Sequence, residues 1–373
     1  MEKPRFAVNT KVSSRKGVFF NLGLFQFLTF LRRGVFYTFM INYLFILMQT
    51  VTSTAALGTL NMIASGLGQN LLWGRICDRY RLRTRLILIG ETIAAFAYVV
   101  VYFVHRSLLD VGNGFAAGLA IIFGLSFLEF FWSMSDVGWA ALLTDVTAPQ
   151  TRGKVIGALN FIASLGRMGG IVFASMLYAG GEGFSNGTIF FIVPILLLVG
   201  VAVMSLTSRR IKHKDGPVAA NKSFSLGAET QKSSDVHANE RSYRWFLISL
   251  IVVVLGAASI TQIFLLFIAL PHGLNASDYE RGWILGAWTV GGMVASLGSG
   301  ALADRIGRRK TLFIALSIAI VTPLLYSFAV SIPMMALVYG VNGSSFWTVQ
   351  TVGFAVAGDL IPERRRGRLL GRF

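Results

Sequence analysis

Six ionisable residues lie inside otherwise apolar runs in the first half of the chain: Arg32, Arg33, Glu91, Glu129, Asp136 and Arg167. A charge at the centre of a bilayer costs about 2.5 to 3.5 kcal/mol even on an insertion scale, so each needs a partner or a water-filled cavity. Glu129 and Asp136 are seven residues apart, two helical turns, which places them on one helix face with Trp132 and Trp139 beside them. Counted from Pro149, Asp136 lies 13 residues before, Glu129 lies 20 before and Arg167 lies 18 after. Glu129 and Arg167 are therefore level in depth, and the spacing predicts an ion pair between them. Burial disfavours an ionised carboxyl and a neighbouring arginine favours it. A carboxyl held between these influences can take up and release a proton as the conformation changes. Glu129 and Asp136 are the candidates for that chemistry, whereas Glu91, about seven residues into its run, reads as an interfacial structural partner of nearby arginines.

Arg32 and Arg33 lie about 13 residues from either end of the run at 18 to 48, roughly 19 Å at about 1.5 Å per residue, too far for either side chain to reach water along the helix. A span beginning at Gly34 would instead leave both at the membrane border. The deep placement is favoured by the internal repeat described below. Its offset, Asp304 minus Asp78, is 226 residues and carries Arg32 onto Ala258, in the middle of a later apolar run. The two side chains point about 100° apart, so one of them is expected to face a cavity. The second half has no charge inside its runs but offers Gln262, Trp288, Thr289, Asn342, Trp347 and Gln350. Such hydrogen-bonding and stacking groups suit a cavity wall and serve equally as helix contacts.

Other chemistries lack their residues. There is no H-E-x-x-H run, no paired histidine, no serine-histidine arrangement within the apolar runs and no G-x-x-x-x-G-K-[ST] run, so neither a catalytic site nor ATP hydrolysis is indicated. Cys77 is the single cysteine, and His105, His213, His237 and His272 are far apart in sequence, so no disulfide, metal site or cofactor is expected.

The elements that must position these groups follow from composition. Of 373 residues 54% are apolar and 14% charged, against about 25% charged in a soluble globular protein, so the chain cannot cover a water-facing surface of its own size. Ten stretches are long enough to cross a bilayer: 18 to 48, 53 to 74, 84 to 104, 115 to 144, 155 to 180, 187 to 207, 244 to 270, 282 to 303, 310 to 330 and 332 to 358. The net charge of +17 does not signal nucleic acid, because the 34 basic residues fall between apolar runs. With the N-terminus cytoplasmic, 29 of them lie on that side and two, Arg106 and Arg281, on the other; this puts both termini in the cytoplasm of a plasma-membrane protein. The expected organisation is a tail (1–17), a six-helix bundle (18–207), a hydrophilic linker (208–243) and a second bundle (244–373) with four helices.

The two bundles repeat the same punctuation. After the second run the first half reads Gly74-Arg75-Ile76-Cys77-Asp78-Arg79, and the second reads Gly300-Ala301-Leu302-Ala303-Asp304-Arg305-Ile306-Gly307-Arg308. After the fourth run, Asp145 is followed at seven residues by Arg152-Gly153-Lys154, and Asp359 likewise by Arg366-Gly367-Arg368. These residues resemble the major facilitator superfamily, whose signature between spans two and three is G-x-L-a-D-r-x-G-r-k/r. The first copy departs at Arg81, where the family has the glycine.

The resemblance implies an all-α membrane protein of two pseudo-symmetric bundles, six plus six helices, of which six plus four are present. The chain therefore reads as a fragment or truncated frame, with a ten-span variant as the alternative. It also implies that Asp78 and Asp304 pair with Arg79, Arg305, Arg308 and a helix N-terminus across the halves, closing the cytoplasmic side in one state. A simpler role for most of these arginines is to set topology. The implied function is secondary active transport of a small solute by alternating access, coupled to protons or another ion, by a monomer in contact with lipid. Efflux of a drug or metabolite gains some support from Gly157, Gly166 and Gly170 in span five, which partly resemble the family's antiporter motif. Uptake of an organic anion held by Arg32 or Arg33, or of a sugar, is the alternative. A non-transporting sensor or inactive product is the reading from another class.

Overall fold

The computed structural model describes residues 12–80, 82–147, 152–211, 245–246, 248–253, 256, 260 and 263–360; the side chains of Asp78, Asp145, Arg152, Asp304 and Asp359 lie outside the description, as do Gln262 and Arg366 entirely. The first span is two helices, α1 (Val12–Tyr37) and α2 (Met40–Met48), separated at Thr38 and Phe39. The second is α3 (Val51–Leu67), which runs through a π-helical turn at Gly68–Trp73 into α4 (Gly74–Tyr80). That turn lies where Gly68 approaches the Phe130 carbonyl and Trp73 Nε1 donates to the same oxygen at 2.8 Å. Then follow α5 (Arg83–Asp110), α6 (Gly114–Val146), α7 (Arg152–Leu177), the short α8 (Glu182–Ser185) and α9 (Thr188–Ile211). In the second half residues 263–269 form α10, followed by α11 (Asp278–Ile306), α12 (Arg308–Leu325) and α13 (Ile332–Leu360).

Among the described residues six helices, α5, α6, α7, α9, α11 and α12, are each long and apolar enough to cross a membrane. Local signals explain several ends. Asn113 Oδ1 accepts from the Ala116 amide at 3.0 Å to start α6, and Ser277 and Glu280 form a reciprocal capping box at the start of α11. The turn between α11 and α12 is the single residue Gly307 at φ +90°, a conformation that a side chain would strain.

Close packing inside each half also depends on glycine. A Cβ on Gly34 of α1 would lie 2.5 Å from the Arg167 carbonyl oxygen and 2.8 Å from Gly170 Cα, and one on Gly166 or Gly170 would strike the Phe27 or Leu31 carbonyl. Small residues at this spacing let α1 and α7 meet backbone to backbone. In the second half Gly291 meets the Gly340 carbonyl and Gly343 the Trp288 carbonyl, joining α11 to α13.

The two halves share a buried core at the end opposite the basic segments. There Phe36, Phe39, Tyr43, Tyr178 and Phe184 are buried together with Leu265 and Leu266 of α10. Gly282 of α11 sits against Ser175 of α7 at this end. Toward the basic end a side chain added at Gly157, Gly298 or Gly300 would meet nothing within 4 Å, and Val294 and Leu297 are 65% and 67% exposed. The halves thus meet at the end opposite the basic segments.

Candidate functional site

The groups with chemical potential form a charged wall on the first half facing an aromatic wall on the second. Consecutive residues of α1 supply two guanidinium groups, and both stack on Trp132 of α6, with Cζ of Arg32 and Arg33 at 3.9 and 4.2 Å from its ring centroid. Contacts of this kind contribute about 0.5 to 2 kcal/mol, the upper end where the cation is desolvated. Their fates then diverge, as the 100° between neighbouring helical residues requires. Arg32 is wholly buried and its Nη1 donates to the Tyr98 hydroxyl at 2.9 Å, while Nε and Nη2 have no hydrogen-bond partner among the described residues. Arg33 reaches outward to Asp136 Oδ1 at 3.5 Å, and both side chains are about a third exposed. A cavity of about 140 Å³ adjoins this pair, lined also by Phe25, Phe30 and Trp139, which is room for several waters. Screening limits such a bridge to under about 1 kcal/mol.

Glu91 departs from expectation. It is 2% exposed and not interfacial, and one carboxylate oxygen accepts both Trp132 Nε1 at 2.8 Å and Ser135 Oγ at 2.6 Å. Depth in sequence misplaces it because α6 packs over that turn of α5 and excludes water. Glu91 therefore fixes the indole on which the two arginines rest, and its charge reaches Arg32.

The expected Glu129–Arg167 ion pair is not formed. Glu129 is half-buried and makes no hydrogen bond or ion pair among the described residues; the charges that act on it most are those of Arg33 and Asp136. Arg167 likewise has no acceptor among the described residues, and its guanidinium lies over Trp288 of α11, 5.1 Å from the ring centroid. Residue counts give height along an axis and not rotation about it. The Gly34–Gly166–Gly170 contact turns α7 so that Arg167 points at the other half.

The aromatic wall is continuous from Trp288. Tyr339, Phe346 and Trp347 of α13 lie 6.4, 5.7 and 6.2 Å from it between ring centroids, and Phe264 of α10 stacks on Tyr339 at 4.1 Å. Asn342, expected in the cavity wall, instead donates to Thr322 Oγ1 of α12 at 2.8 Å, a helix–helix contact. Thr289 donates within its own helix to the Leu285 carbonyl at 3.4 Å. Gln350 is half-buried without a hydrogen bond among the described residues.

The sequence profile of the Major Facilitator Superfamily matches residues 22–373. The chain belongs to that family. Its members are multi-pass membrane proteins that act as secondary transporters and not as enzymes. The fold agrees with solved members: the nucleoside transporter NupG (TM-score 0.66, 16% identity, 95% of this chain and 86% of that one) and a D-xylose–proton symporter (0.59, 14%, 97% and 86%). A bacterial homologue of the human lysosomal transporter Spinster, solved facing inward and unoccupied, matches at 0.65 with 13% identity over 97% of this chain and 78% of that one. At such identities the likeness is one of fold alone. An uncharacterized MFS-type transporter of Mycobacterium tuberculosis (strain ATCC 25618 / H37Rv) is 25% identical over 95 residues, 26% of this chain and 14% of that protein. Myo-inositol transporter 1A of Cryptococcus neoformans var. grubii is 31% identical over 93 residues, 25% of this chain and 16% of that one.

Of the family's loop signature, Gly307 occupies the positive-φ turn, and Arg79, Arg305 and Arg308 are exposed on the basic end with Gly300. Gly74 opens α4. The pairing expected of Asp78 and Asp304, and of Asp145 with Arg152 and Asp359 with Arg366, lies outside the described side chains.

At the other end the structure reveals a clasp not anticipated from sequence, where Arg281 counted only as an outside charge. Its guanidinium lies 5.2 Å from the ring of Phe39 and 5.5 Å from that of Tyr178, two rings stacked at 4.7 Å in the first half. It also bridges Asp278, whose Oδ2 accepts the Gly180 amide across the interface at 2.9 Å. The only hint in the sequence is an Asp–Arg pair spaced i,i+3 at a helix start.

Proposed function

We propose that this family member is a proton-coupled carrier of a small organic solute, working as a monomer in the plasma membrane by alternate opening of its two ends. Positive-inside orientation puts the basic end in the cytoplasm, so the Arg281 clasp closes the outside. Glu129 is the proton carrier in this reading. One observation supports it above the rest: of the two carboxyls on that face of α6, Asp136 has Arg33 at 3.5 Å, whereas Glu129 is half-buried with no partner among the described residues. A carboxyl whose surroundings change as the halves rock can take up and release a proton, which is what coupling requires. Efflux by antiport gains nothing from the glycines of α7, since helix packing accounts for Gly166 and Gly170.

The test uses the full chain in proteoliposomes carrying an internal pH dye, challenged with sugars, amino acids, organic acids and lipophilic cations. Glu129→Gln should abolish the proton movement that accompanies any active solute while leaving solute counterflow; Asp136→Asn should leave proton movement in place. Unchanged proton movement in Glu129→Gln would refute the assignment.

A further inference from the structure

The central charges do not pair off completely. The first-half spans hold three cations and three anions. Arg33 and Asp136 neutralise each other at 3.5 Å, and Glu91 and Arg32 share the Trp132 indole, Glu91 accepting its Nε1 at 2.8 Å and Arg32 lying over its face at 3.9 Å. That leaves Arg167 and Glu129, one of each sign, on different helices and not bonded to each other. Once Glu129 takes a proton, the site holds one uncompensated guanidinium, resting on Trp288 and facing a second half that carries no charged residue over 245–270, 282–303 or 311–358. A buried positive charge without a counter-ion is costly, and a planar guanidinium recognises carboxylate or sulfonate through two parallel N–H donors. Beside it run Trp288, Tyr339 and Trp347, ring faces suited to a flat apolar body.

We propose that the transported solute is an aromatic monoanion, its acidic group on Arg167 and its ring along Trp288, and that it binds and moves together with one proton on Glu129. This rests on the proton-coupled reading above. It makes Arg167, and not the α1 arginines, the anion clamp: Arg33 is engaged by Asp136, and Arg32 lies sealed behind Trp132 and Tyr98. It also makes transport electroneutral, since one negative and one positive charge cross together.

Three near-isosteric probes test the charge requirement: benzenesulfonate, benzenesulfonamide and phenyltrimethylammonium, titrated against the purified full chain by isothermal calorimetry. Benzenesulfonate should bind at least tenfold more tightly than either of the others. Arg167→Gln should remove that preference, Arg167→Lys should restore part of it, and Trp288→Leu should weaken the aromatic sulfonate more than methanesulfonate. Arg167→Gln deletes an unpaired charge, so loss of folding is not the expected outcome, and the lysine variant guards against it. Equal or tighter binding of the amide or the cation, binding of none of the three, or an unaltered preference in Arg167→Gln would overturn the proposal. The two readings separate in proteoliposomes. Sulfonate binding without accompanying proton movement would sink proton coupling and leave the anion site. Proton movement driven only by the cation or the amide would sink the anion site and leave coupling. An imposed membrane potential should leave sulfonate uptake unchanged.

Discussion

Removing the guanidinium of Arg281 should loosen the closed end by an amount the structure sets. The side chain contacts two first-half rings, Phe39 at 5.2 Å and Tyr178 at 5.5 Å, while its bridge to Asp278 lies within α11 and does not distinguish open from closed. Its ring contacts are lost when the halves part. Arg281 is 8% exposed, so each contact falls between the exposed and desolvated limits of about 0.5 and 2 kcal/mol, and the pair favours closure by about 1 to 3 kcal/mol. A coupling of that size shifts the open population by about 5- to 150-fold. The readout is maleimide labelling of Leu266→Cys, a 4% exposed position that the first-half core covers only while this end is closed, in a Cys77→Ser background. When reclosing is faster than labelling, the rate follows the open population, so Arg281→Ala should raise it by that factor. Arg106→Ala is the control, because Arg106 bonds only first-half groups, the Ser185 carbonyl at 3.2 Å and Asp110 at 3.0 Å. An unchanged rate in Arg281→Ala, or an equal rise in Arg106→Ala, would refute the clasp.

Two further outcomes concern the interior. Glu91→Ala leaves the Trp132 indole N–H and the Ser135 hydroxyl without their acceptor and Arg32 without a nearby carboxylate, and should cost about 3 to 5 kcal/mol in thermal unfolding, with Glu91→Gln recovering part of it. Gly34→Ala forces a methyl against the Arg167 carbonyl and Gly170, backbone atoms that cannot yield without moving a helix, and should cost about 1 to 3 kcal/mol by the same measurement; an unaltered melting temperature would mean that α1 and α7 do not meet as described.

Several features of this transporter are properties of the chain read in one dimension. A spanning segment must satisfy its own backbone in hydrocarbon, so it has to be a helix of about 20 apolar residues, and length with hydropathy suffices to find it. Seven of the ten expected spans correspond each to one continuous helix, and the first two are interrupted at Thr38–Phe39 and at Gly68–Trp73. Gly307, part of the repeated motif, forms the turn between α11 and α12 at φ +90°. The fixed rise per residue makes the height of each charged group readable too.

What height leaves open is direction. Rotation of a helix about its axis is settled by which neighbour it packs against and how closely. Here the backbone contact of Gly34 with Gly170 aims Arg167 at Trp288 and away from Glu129. The same limitation hid Glu91 beneath Trp132 and Ser135, sent Asn342 to Thr322, and concealed the meeting of Arg281 with rings more than 100 and 200 residues away in sequence. Charge type, depth and span are local quantities that the chain carries along its length. Partners are a consequence of packing, and packing left Arg167 and Glu129 without an ion pair among the described residues.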